Sequence, residues 1–192
     1  MRFLQTPLAG VWVIESDPVA DERGWFARVF DADMFRAQGL DPCVAQCNVS
    51  FNARRGTVRG MHYQAHPHAE PKLVRCVSGA SFEVALDLRS DSSTYCRWYG
   101  VELSAEGHCA PESRRAPESH RALYLPPGVA HGYLTLADGT ELLYQMGHRY
   151  VPEAARGVRW DDPAFGIEWP HLADELVISE RDRSYPDFRR ES

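Results

Sequence analysis

The sequence lacks several features that would point to particular classes of protein. Of its 21 Lys and Arg residues only one, Lys72, is a lysine, and the formal net charge is −6. This balance argues against a general binder of nucleic acid or of membrane surfaces. The five cysteines include no CxxC pair, and no apolar run approaches the roughly 20 residues that a membrane helix needs. Because its start also shows no signal-type segment, the chain is predicted to be a reduced, cytoplasmic protein.

The chain contains enough apolar residues for one globular domain over 1–192, since 44% of its residues are hydrophobic and 25% are charged. Short segments rich in Val, Tyr, Trp and Phe alternate with polar residues and are separated by Gly and Pro. This pattern predicts an all-β sandwich or barrel. A few short helices are expected, one over 31–39 with Asp31 as its cap and Gly39 at its end, and one turn within 171–182.

Two predicted strand regions carry a polar face. In AQCNVSFN, residues 45–52, one face holds Gln46, Asn48 and Ser50. In KLVRCVSGASFEVALDLR, residues 72–89, a turn at Ser78–Gly79 is predicted to form a hairpin. One face of it is expected to carry Lys72, Val74, Cys76, Glu83 and Asp87. The opposite face is expected to turn towards a core and to carry Phe82, Val84, Leu86 and Leu88.

The polar face of this predicted hairpin has two interpretations. It lines a barrel lumen that holds a ligand, with Lys72 close to Glu83, or it faces solvent and carries an ordinary cross-strand ion pair. The residues of the hairpin leave both interpretations open.

Histidines cluster in RGMHYQAHPHAEPK, residues 59–72. The spacing resembles the two motifs of metal-binding cupins at Gly60, His66, His68 and Gly79 and at Pro126, Gly128 and His131. Lys72, however, stands where the first motif has its metal-binding Glu, and an ammonium group repels a divalent cation. The prolines of the segment favour a solvated loop for His66 and His68. The sequence therefore predicts no metal site, although three histidines can hold iron or zinc and a metal-dependent cupin remains the alternative.

The single lysine is a second clue in the same segment. The chain uses arginine at every other basic position, so Lys72 indicates a place that requires a compact point charge with an adjustable pKa. The alternative is chance retention of one lysine.

Eight stretches along the chain together carry a family resemblance. They are DERGWFARVF (21–30), QCNVS (46–50), VRGMHYQ (58–64), PKLVRCVSG (71–79), VALDLRSDSSTY (84–95), YLPPGVAHGYLTLADGTELLYQ (124–145), VRWDDPAFGIEWP (158–170) and ISERD (178–182). In this order they resemble the dTDP-4-dehydrorhamnose 3,5-epimerases, the RmlC-like branch of the cupins. The resemblance implies a double-stranded β-helix, or jelly-roll barrel, that forms a homodimer by exchanging N-terminal strands. It also implies an isomerase that acts on a nucleotide-linked 4-keto-6-deoxy sugar without a cofactor or metal.

The resemblance also implies a role for each site residue. Epimerisation removes a proton next to the C4 ketone from one face of the sugar and returns one to the other face. His62 aligns with the base, Asp182 with the carboxylate that orients it, and Tyr144 with the acid on the opposite face. Lys72 aligns with the lysine that stabilises the enolate. The implied substrate-binding residues are Arg23 and Arg59 for the pyrophosphate, together with Phe26, Arg28, Gln46, Asn48, Glu83 and His131.

Three departures from the family pattern leave the substrate open. Arg28 stands where members typically carry a glutamate near the nucleotide base, and Glu83 stands where an aspartate is usual. The loop 105–120, within a segment predicted to be exposed, is longer than the family norm. Because arginine offers only donors, Arg28 suits a base edge rich in acceptors rather than thymine. A 3- or 5-monoepimerase of another nucleotide sugar is therefore an alternative, as is a non-catalytic sugar-nucleotide binder.

Overall fold

A computed structural model describes residues 1–105, 120–172 and 175–190. The strands are β1 (Arg2–Gln5), β2 (Trp12–Glu15), β3 (Val19–Asp21), β4 (Gly24–Phe26), β5 (Gln46–Asn52), β6 (Thr57–Gln64), β7 (Lys72–Ser78), β8 (Ala80–Asp87), β9 (Trp98–Ser104), β10 (Arg121–Leu125), β11 (Val129–Thr135), β12 (Thr140–Met146), β13 (Ala155–Gly157) and β14 (Val177–Ile178). The helices are α1 (Ala32–Ala37), α2 (Glu180–Arg183) and a 3-10 helix over Pro152–Ala154. The segment 106–119, which holds most of the predicted loop, lies outside the described residues. Within the described ranges, no helix is both long enough and apolar enough to cross a membrane.

Most strands belong to two sheets that face each other. The first sheet has the order β1-β2-β10-β7-β12-β5 and the second β13-β6-β11-β8-β9, with β14 joined to β6 in parallel. From β5 to β8 and again from β10 to β13, successive strands alternate between the two sheets. This winding is that of a double-stranded β-helix, so the predicted all-β jelly roll with a few short helices is confirmed.

Both predicted helical segments are present. The Asp31 side chain accepts hydrogen bonds from the backbone N–H groups of Asp33 and Met34, so it caps α1 as predicted. Gly39 follows the helix with a φ of +72°, which ends the helix in the left-handed conformation that favours glycine. The turn expected within 171–182 is α2, which Ser179 caps at the end of that segment.

The predicted hairpin at Ser78–Gly79 is wrong. β7 pairs with β10 and β12 in the first sheet, whereas β8 pairs with β9 and β11 in the second. Gly79, with a φ of +71°, packs against Thr140 where the chain passes from one sheet to the other. An alternating pattern determines which residues share a face but not which strand lies alongside, and this is why the pairing could not be read from the sequence.

The predicted division of faces is confirmed in spite of the wrong pairing. Val74 and Cys76 of the first sheet pack against Ala85 of the second, in the core between the sheets. Lys72 is 8% exposed and Glu83 is fully buried, so the interpretation of this face as solvent-exposed is wrong. The other face of β8 contributes to a second core outside the barrel, which contains Phe82, Val84, Leu86 and Leu88 together with Phe165, Trp98 and Trp169.

Two glycines bring β6 and β11 close together beside the predicted site. A Cβ atom on Gly60 would lie 2.4 Å from the Cα of Gly132. The φ of Gly60 is +134°, a conformation that residues with a side chain rarely adopt. Because the register places His131 opposite His62, this close approach sets the spacing of two predicted site residues.

We predict that Gly60→Ala lowers the free energy of unfolding by about 2–5 kcal/mol, because overpacking and an unfavourable φ both contribute. Gly139→Ala is the matched control, since Gly139 has a φ of +65° but nothing within 4 Å of the added methyl group. Gly139→Ala is expected to lower the free energy of unfolding by only about 1–2 kcal/mol. Urea denaturation measures both losses, and equal values would show that the approach of β6 to β11 does not constrain Gly60.

Candidate active site

A cavity of about 300 Å³ lies between the two sheets and is lined by β5, β6, β7, β11 and β12. Six of the predicted site residues line it, namely Asn48, Arg59, His62, Lys72, His131 and Tyr144. Two more, Glu83 and Asp182, are buried behind the lining and are bonded to lining histidines. Most of the predicted set therefore converges on one place.

His62 and Asp182 form a closely bonded pair. The His62 Nε2 atom lies 2.7 Å from Asp182 Oδ1, and the backbone N–H of Gly60 donates to the other carboxylate oxygen. The parallel pairing of β14 with β6 brings α2, and with it Asp182, beside His62. Burial alone would raise the pKa of the Asp182 carboxyl, but the bonds from His62 and Gly60 outweigh it and lower the pKa. The carboxylate therefore orients the ring and leaves its Nδ1 atom to accept a proton.

Lys72 is buried next to a carboxylate that the sequence analysis did not select. The Lys72 Nζ atom lies 3.1 Å from Glu70 Oε1 and donates to the backbone oxygen of His62 at 3.1 Å. Gln64 holds the other oxygen of Glu70 at 2.7 Å. The ion-pair partner of Lys72 is thus Glu70 and not Glu83, which is a correction to the expected cross-strand pair. The spacing Glu70-Pro71-Lys72, an acid two residues from the single lysine, was the signal that could have revealed it.

Glu70 affects the charge state of this lysine. Burial lowers the pKa of the Lys72 ammonium, and the charge and hydrogen bond of Glu70 oppose that effect. An ammonium group held in this way is a fixed positive charge inside the cavity. Such a charge can stabilise a negative oxygen that develops on a bound molecule.

His131 lies on a second buried carboxylate. Its Nε2 atom is 2.6 Å from Glu83 Oε2, and the Ser81 hydroxyl donates to the other oxygen of Glu83 at 2.5 Å. Burial lowers the pKa of the His131 ring, which favours the neutral imidazole. The longer side chain that stands here in place of an aspartate therefore still reaches the histidine and fixes its orientation.

Tyr144 and the polar strand β5 complete the lining. Burial raises the pKa of the Tyr144 hydroxyl well above its ordinary value, and the neighbouring Tyr133 and Glu83 raise it further. Gln46 donates to Asn48 at 3.0 Å, so the shared face predicted for them is confirmed. Gln46 itself lies outside the lining and accepts a hydrogen bond from the backbone of Tyr150.

Three predicted substrate-binding residues do not reach the cavity of their own chain. Arg23, Phe26 and Arg28 lie on or next to the β3–β4 hairpin, where the side chains of Arg23 and Arg28 are 85% and 65% exposed and Phe26 is 79% exposed. Arg23 pairs with Asp21, and Arg28 pairs with Asp31. Among the described residues, the hairpin forms a two-stranded sheet of its own and is not paired with either of the two larger sheets. The substrate-binding role expected of these three residues stays a prediction.

The histidine loop does not join the cavity lining. His68 packs against His148, with ring centroids 5.2 Å apart. Across residues 1–105, 120–172 and 175–190, no three His, Cys, Asp or Glu side chains come together as a group that could hold a metal ion. Further polar side chains that line the cavity escaped the sequence analysis of the site, namely Ser50, Tyr133, Tyr150, Arg156 and Arg181.

Comparison with known proteins shows the family of this chain. The family described as dTDP-4-dehydrorhamnose 3,5-epimerase matches residues 5–190. The enzyme of that name from Methanothermobacter thermautotrophicus is 40% identical over 189 residues, which is 98% of this chain and 95% of the relative. The one from Sinorhizobium fredii is 41% identical over 188 residues, covering 98% of this chain and 90% of the relative.

Solved structures agree in fold as well as in sequence. The crystal structure of dTDP-4-dehydrorhamnose 3,5-epimerase from Elizabethkingia anophelis has a TM-score of 0.87 at 32% identity and covers 98% of this chain and 96% of its own. ChmJ, a 3'-monoepimerase from Streptomyces bikiniensis solved with dTDP-quinovose, has a TM-score of 0.82 at 32% identity, with coverages of 96% and 86%. The chain therefore belongs to the dTDP-4-dehydrorhamnose 3,5-epimerase family, and it is an isomerase with the jelly-roll fold of the cupins.

Proposed function

We propose that the protein epimerises a nucleotide-linked 4-keto-6-deoxy sugar, using only its own side chains. The observation that carries this proposal is that His62, Lys72 and Tyr144 line the same cavity. His62 is bonded there to Asp182 at 2.7 Å. The names of the relatives indicate dTDP-4-dehydrorhamnose as the substrate class. We further propose that residues 1–192 act as one domain.

His62 acts as the base in this scheme. The C4 ketone acidifies the protons on C3 and C5, and the Nδ1 atom of His62 removes one of them. The imidazolium that forms is stabilised by Asp182, whose lowered pKa keeps the carboxylate charged. The electron pair left on carbon moves onto the C4 oxygen, where the ammonium group of Lys72 stabilises the enolate.

Tyr144 acts as the acid from the other face of the sugar. Its raised pKa keeps the hydroxyl protonated until the enolate takes the proton. When the proton is transferred to carbon, the C4 ketone is restored and the carbon is inverted. His131, held by Glu83, positions the sugar, and Arg59 binds the pyrophosphate with its guanidinium group.

We predict that His62→Asn abolishes the exchange of sugar protons with D₂O and leaves the affinity for the nucleotide within a few fold, because a general base acts mainly in the transition state. NMR follows the exchange at C3 and C5 for the 4-keto-6-deoxyglucose derivatives of dTDP, CDP, UDP and GDP. Exchange at both carbons with dTDP is the expected wild-type result. Exchange at one carbon only would favour a monoepimerase. Exchange with another nucleotide would favour a substrate other than a dTDP sugar.

The matched control is His68→Asn, which changes a histidine of the neighbouring loop and is expected to leave the exchange unchanged. Near-normal exchange in His62→Asn would remove His62 from its role as the base.

A second prediction concerns Glu70 and the pH profile. Activity requires protonated Lys72, so it is lost as the pH rises through the pKa of Lys72. Burial lowers that pKa and Glu70 opposes the effect, so Glu70→Gln lowers it further. The alkaline limb of the kcat profile is therefore expected to move to lower pH, while the acidic limb stays in place.

Glu15→Gln is the matched control for this experiment, because Glu15 is also buried and pairs with Arg2 and Arg121 away from the cavity. It is expected to leave the alkaline limb in place. If Glu70→Gln also left it in place, the group whose deprotonation ends activity would not be Lys72.

We also propose that the protein is a homodimer with exchanged N-terminal segments. The β3–β4 hairpin is a separate two-stranded sheet that exposes the apolar side chains of Val19, Trp25 and Phe26. A partner chain would cover these side chains. In such a dimer Arg23, Phe26 and Arg28 reach the cavity of the partner. This arrangement explains why three residues expected to bind the substrate lie outside the cavity of their own chain.

Mixed dimers test this arrangement. We predict that Arg23→Ala and His62→Asn are each nearly inactive alone, and that co-expressing the two chains restores about a quarter of wild-type activity. The reason is that half of randomly assembled dimers are mixed, and one of their two sites combines an intact cavity with an intact hairpin. Activity no higher than that of the separate variants would show that the hairpin does not complete the site of a partner.

A further inference from the structure

Tyr133 is a second phenol in the cavity, and neither the sequence analysis nor the proposed mechanism gives it a role. It lies two residues after His131 on β11, is 2% exposed and lines the cavity together with Tyr144. The rings of Tyr133 and Tyr144 have their centroids 6.2 and 6.0 Å from that of His131. A tyrosine that only filled the core would need one hydrogen-bond partner. The hydroxyl of Tyr133 has several.

The first partner of Tyr133 is Asn52, whose orientation is fixed. The Asn52 amide nitrogen donates to the backbone oxygen of Thr140 at 3.1 Å, so its oxygen must face the other way. That oxygen accepts from the Tyr133 hydroxyl at 3.0 Å and from Arg59 Nε at 3.0 Å. The proton of the Tyr133 hydroxyl is therefore directed to Asn52 in the resting site.

The remaining partners of Tyr133 lie on the side of the proposed acid. The Ser50 hydroxyl lies 3.2 Å from the Tyr133 hydroxyl, and Tyr144 lines the same cavity as both and has its pKa affected by both. Since the Tyr133 proton points to Asn52, the lone pairs of its oxygen are available to Ser50 and Tyr144. These polar groups form a set that runs from Tyr144 to Arg59, and hydrogen bonds join its members Ser50, Tyr133, Asn52 and Arg59.

The proposed reaction leaves a charge at one end of this set. As Tyr144 gives its proton to carbon, its O–H bond breaks, the C–H bond forms, and the negative charge of the enolate passes to the Tyr144 oxygen. The proton taken from the sugar remains on His62. A buried phenolate needs hydrogen-bond donors, and the donors beside it are the hydroxyl groups of Ser50 and Tyr133.

We propose that Tyr133 is a positioning residue for Tyr144, a proposal that rests on the proposed function. Its hydroxyl orients the hydroxyl of Tyr144 before the proton transfer. Afterwards it turns from Asn52 and donates a hydrogen bond to the Tyr144 phenolate. When Tyr133 turns away, Arg59 continues to donate to the Asn52 oxygen, so the amide keeps a partner. Tyr133 makes proton donation by Tyr144 more favourable. It does not touch His62, the proposed base on the opposite face of the sugar.

The experiment measures two rates in D₂O for Tyr133→Phe, namely the incorporation of deuterium into the 4-keto-6-deoxyglucose derivative of dTDP and the formation of inverted product. Weaker proton donation by Tyr144 returns the enolate to His62, whose side chain is 40% exposed and exchanges with solvent. Inversion is expected to fall roughly 10- to 100-fold, the effect of one hydrogen bond to a charged oxygen, while incorporation with retained configuration continues. KM is expected to stay unchanged.

The ratio of deuterium incorporation to inversion does not depend on how much of the variant is folded. Tyr124→Phe is the matched control, because Tyr124 is also buried and its hydroxyl accepts a hydrogen bond from the backbone N–H of Asp41, but outside the cavity. It is expected to keep the wild-type ratio. Ser50→Ala removes the hydroxyl that bonds to Tyr133 and lines the cavity with both phenols, and it is expected to raise the ratio to a smaller extent.

Tyr144→Phe separates this inference from the proposed function, since it should raise the ratio more than any other variant. A wild-type ratio in Tyr133→Phe, alongside a raised ratio in Tyr144→Phe, overturns the role of Tyr133 and leaves the proposed function intact. A proportional loss of both rates in Tyr133→Phe also overturns it, because that is the mark of a purely structural role. A wild-type ratio in Tyr144→Phe removes Tyr144 as the acid, and the inference fails with it.

Discussion

The cost of removing charge from water governs how the interior of this barrel is built. Three ionisable side chains of the cavity lining each contact a carboxylate that is almost fully buried: His62 contacts Asp182, Lys72 contacts Glu70, and His131 contacts Glu83. An unpaired charge at such positions would be strongly destabilising, whereas a paired and hydrogen-bonded charge is tolerated. Asp182 and Glu83 lie behind the lining, and Glu70 lies at the lining with its two oxygens bonded to Lys72 and Gln64.

The same pairs separate the chemical roles in the cavity. Asp182 supports a group that gains positive charge, Glu70 favours the charged form of a lysine, and Glu83 fixes a histidine whose neutral form is favoured by burial. Tyr144 has no carboxylate partner among the described residues, and burial keeps its proton in place. The proposed base, His62, and the proposed acid, Tyr144, are thus held in one cavity by opposite means, as inversion at a carbon requires.

The sequence predicted correctly those local structures that a short segment of the chain determines by itself. Asp31 and Gly39 mark the ends of α1 because capping and the left-handed conformation are local properties. The alternation of polar and apolar residues assigned the faces of β7 and β8 correctly, although their pairing as a hairpin was wrong. The resemblance supplied six residues of the cavity lining because motif spacing reflects strand positions that converge in the barrel. It did not include Glu70. The sequence places this acid two residues from Lys72, but which carboxylate pairs with a buried lysine depends on how the loop packs.

By itself, the sequence determined the all-β class, the strand faces, the two ends of α1 and the family to which the chain belongs, since each depends on local pattern or on order along the chain. Only the tertiary structure decided that Lys72 pairs with Glu70, that Tyr133 bonds to Ser50 in the cavity of Tyr144, and that Arg23, Phe26 and Arg28 lie outside the cavity of their own chain. These are contacts between side chains that different strands and loops bring together. Local pattern places a residue on a face, but the distance between two faces is set by how the sheets pack.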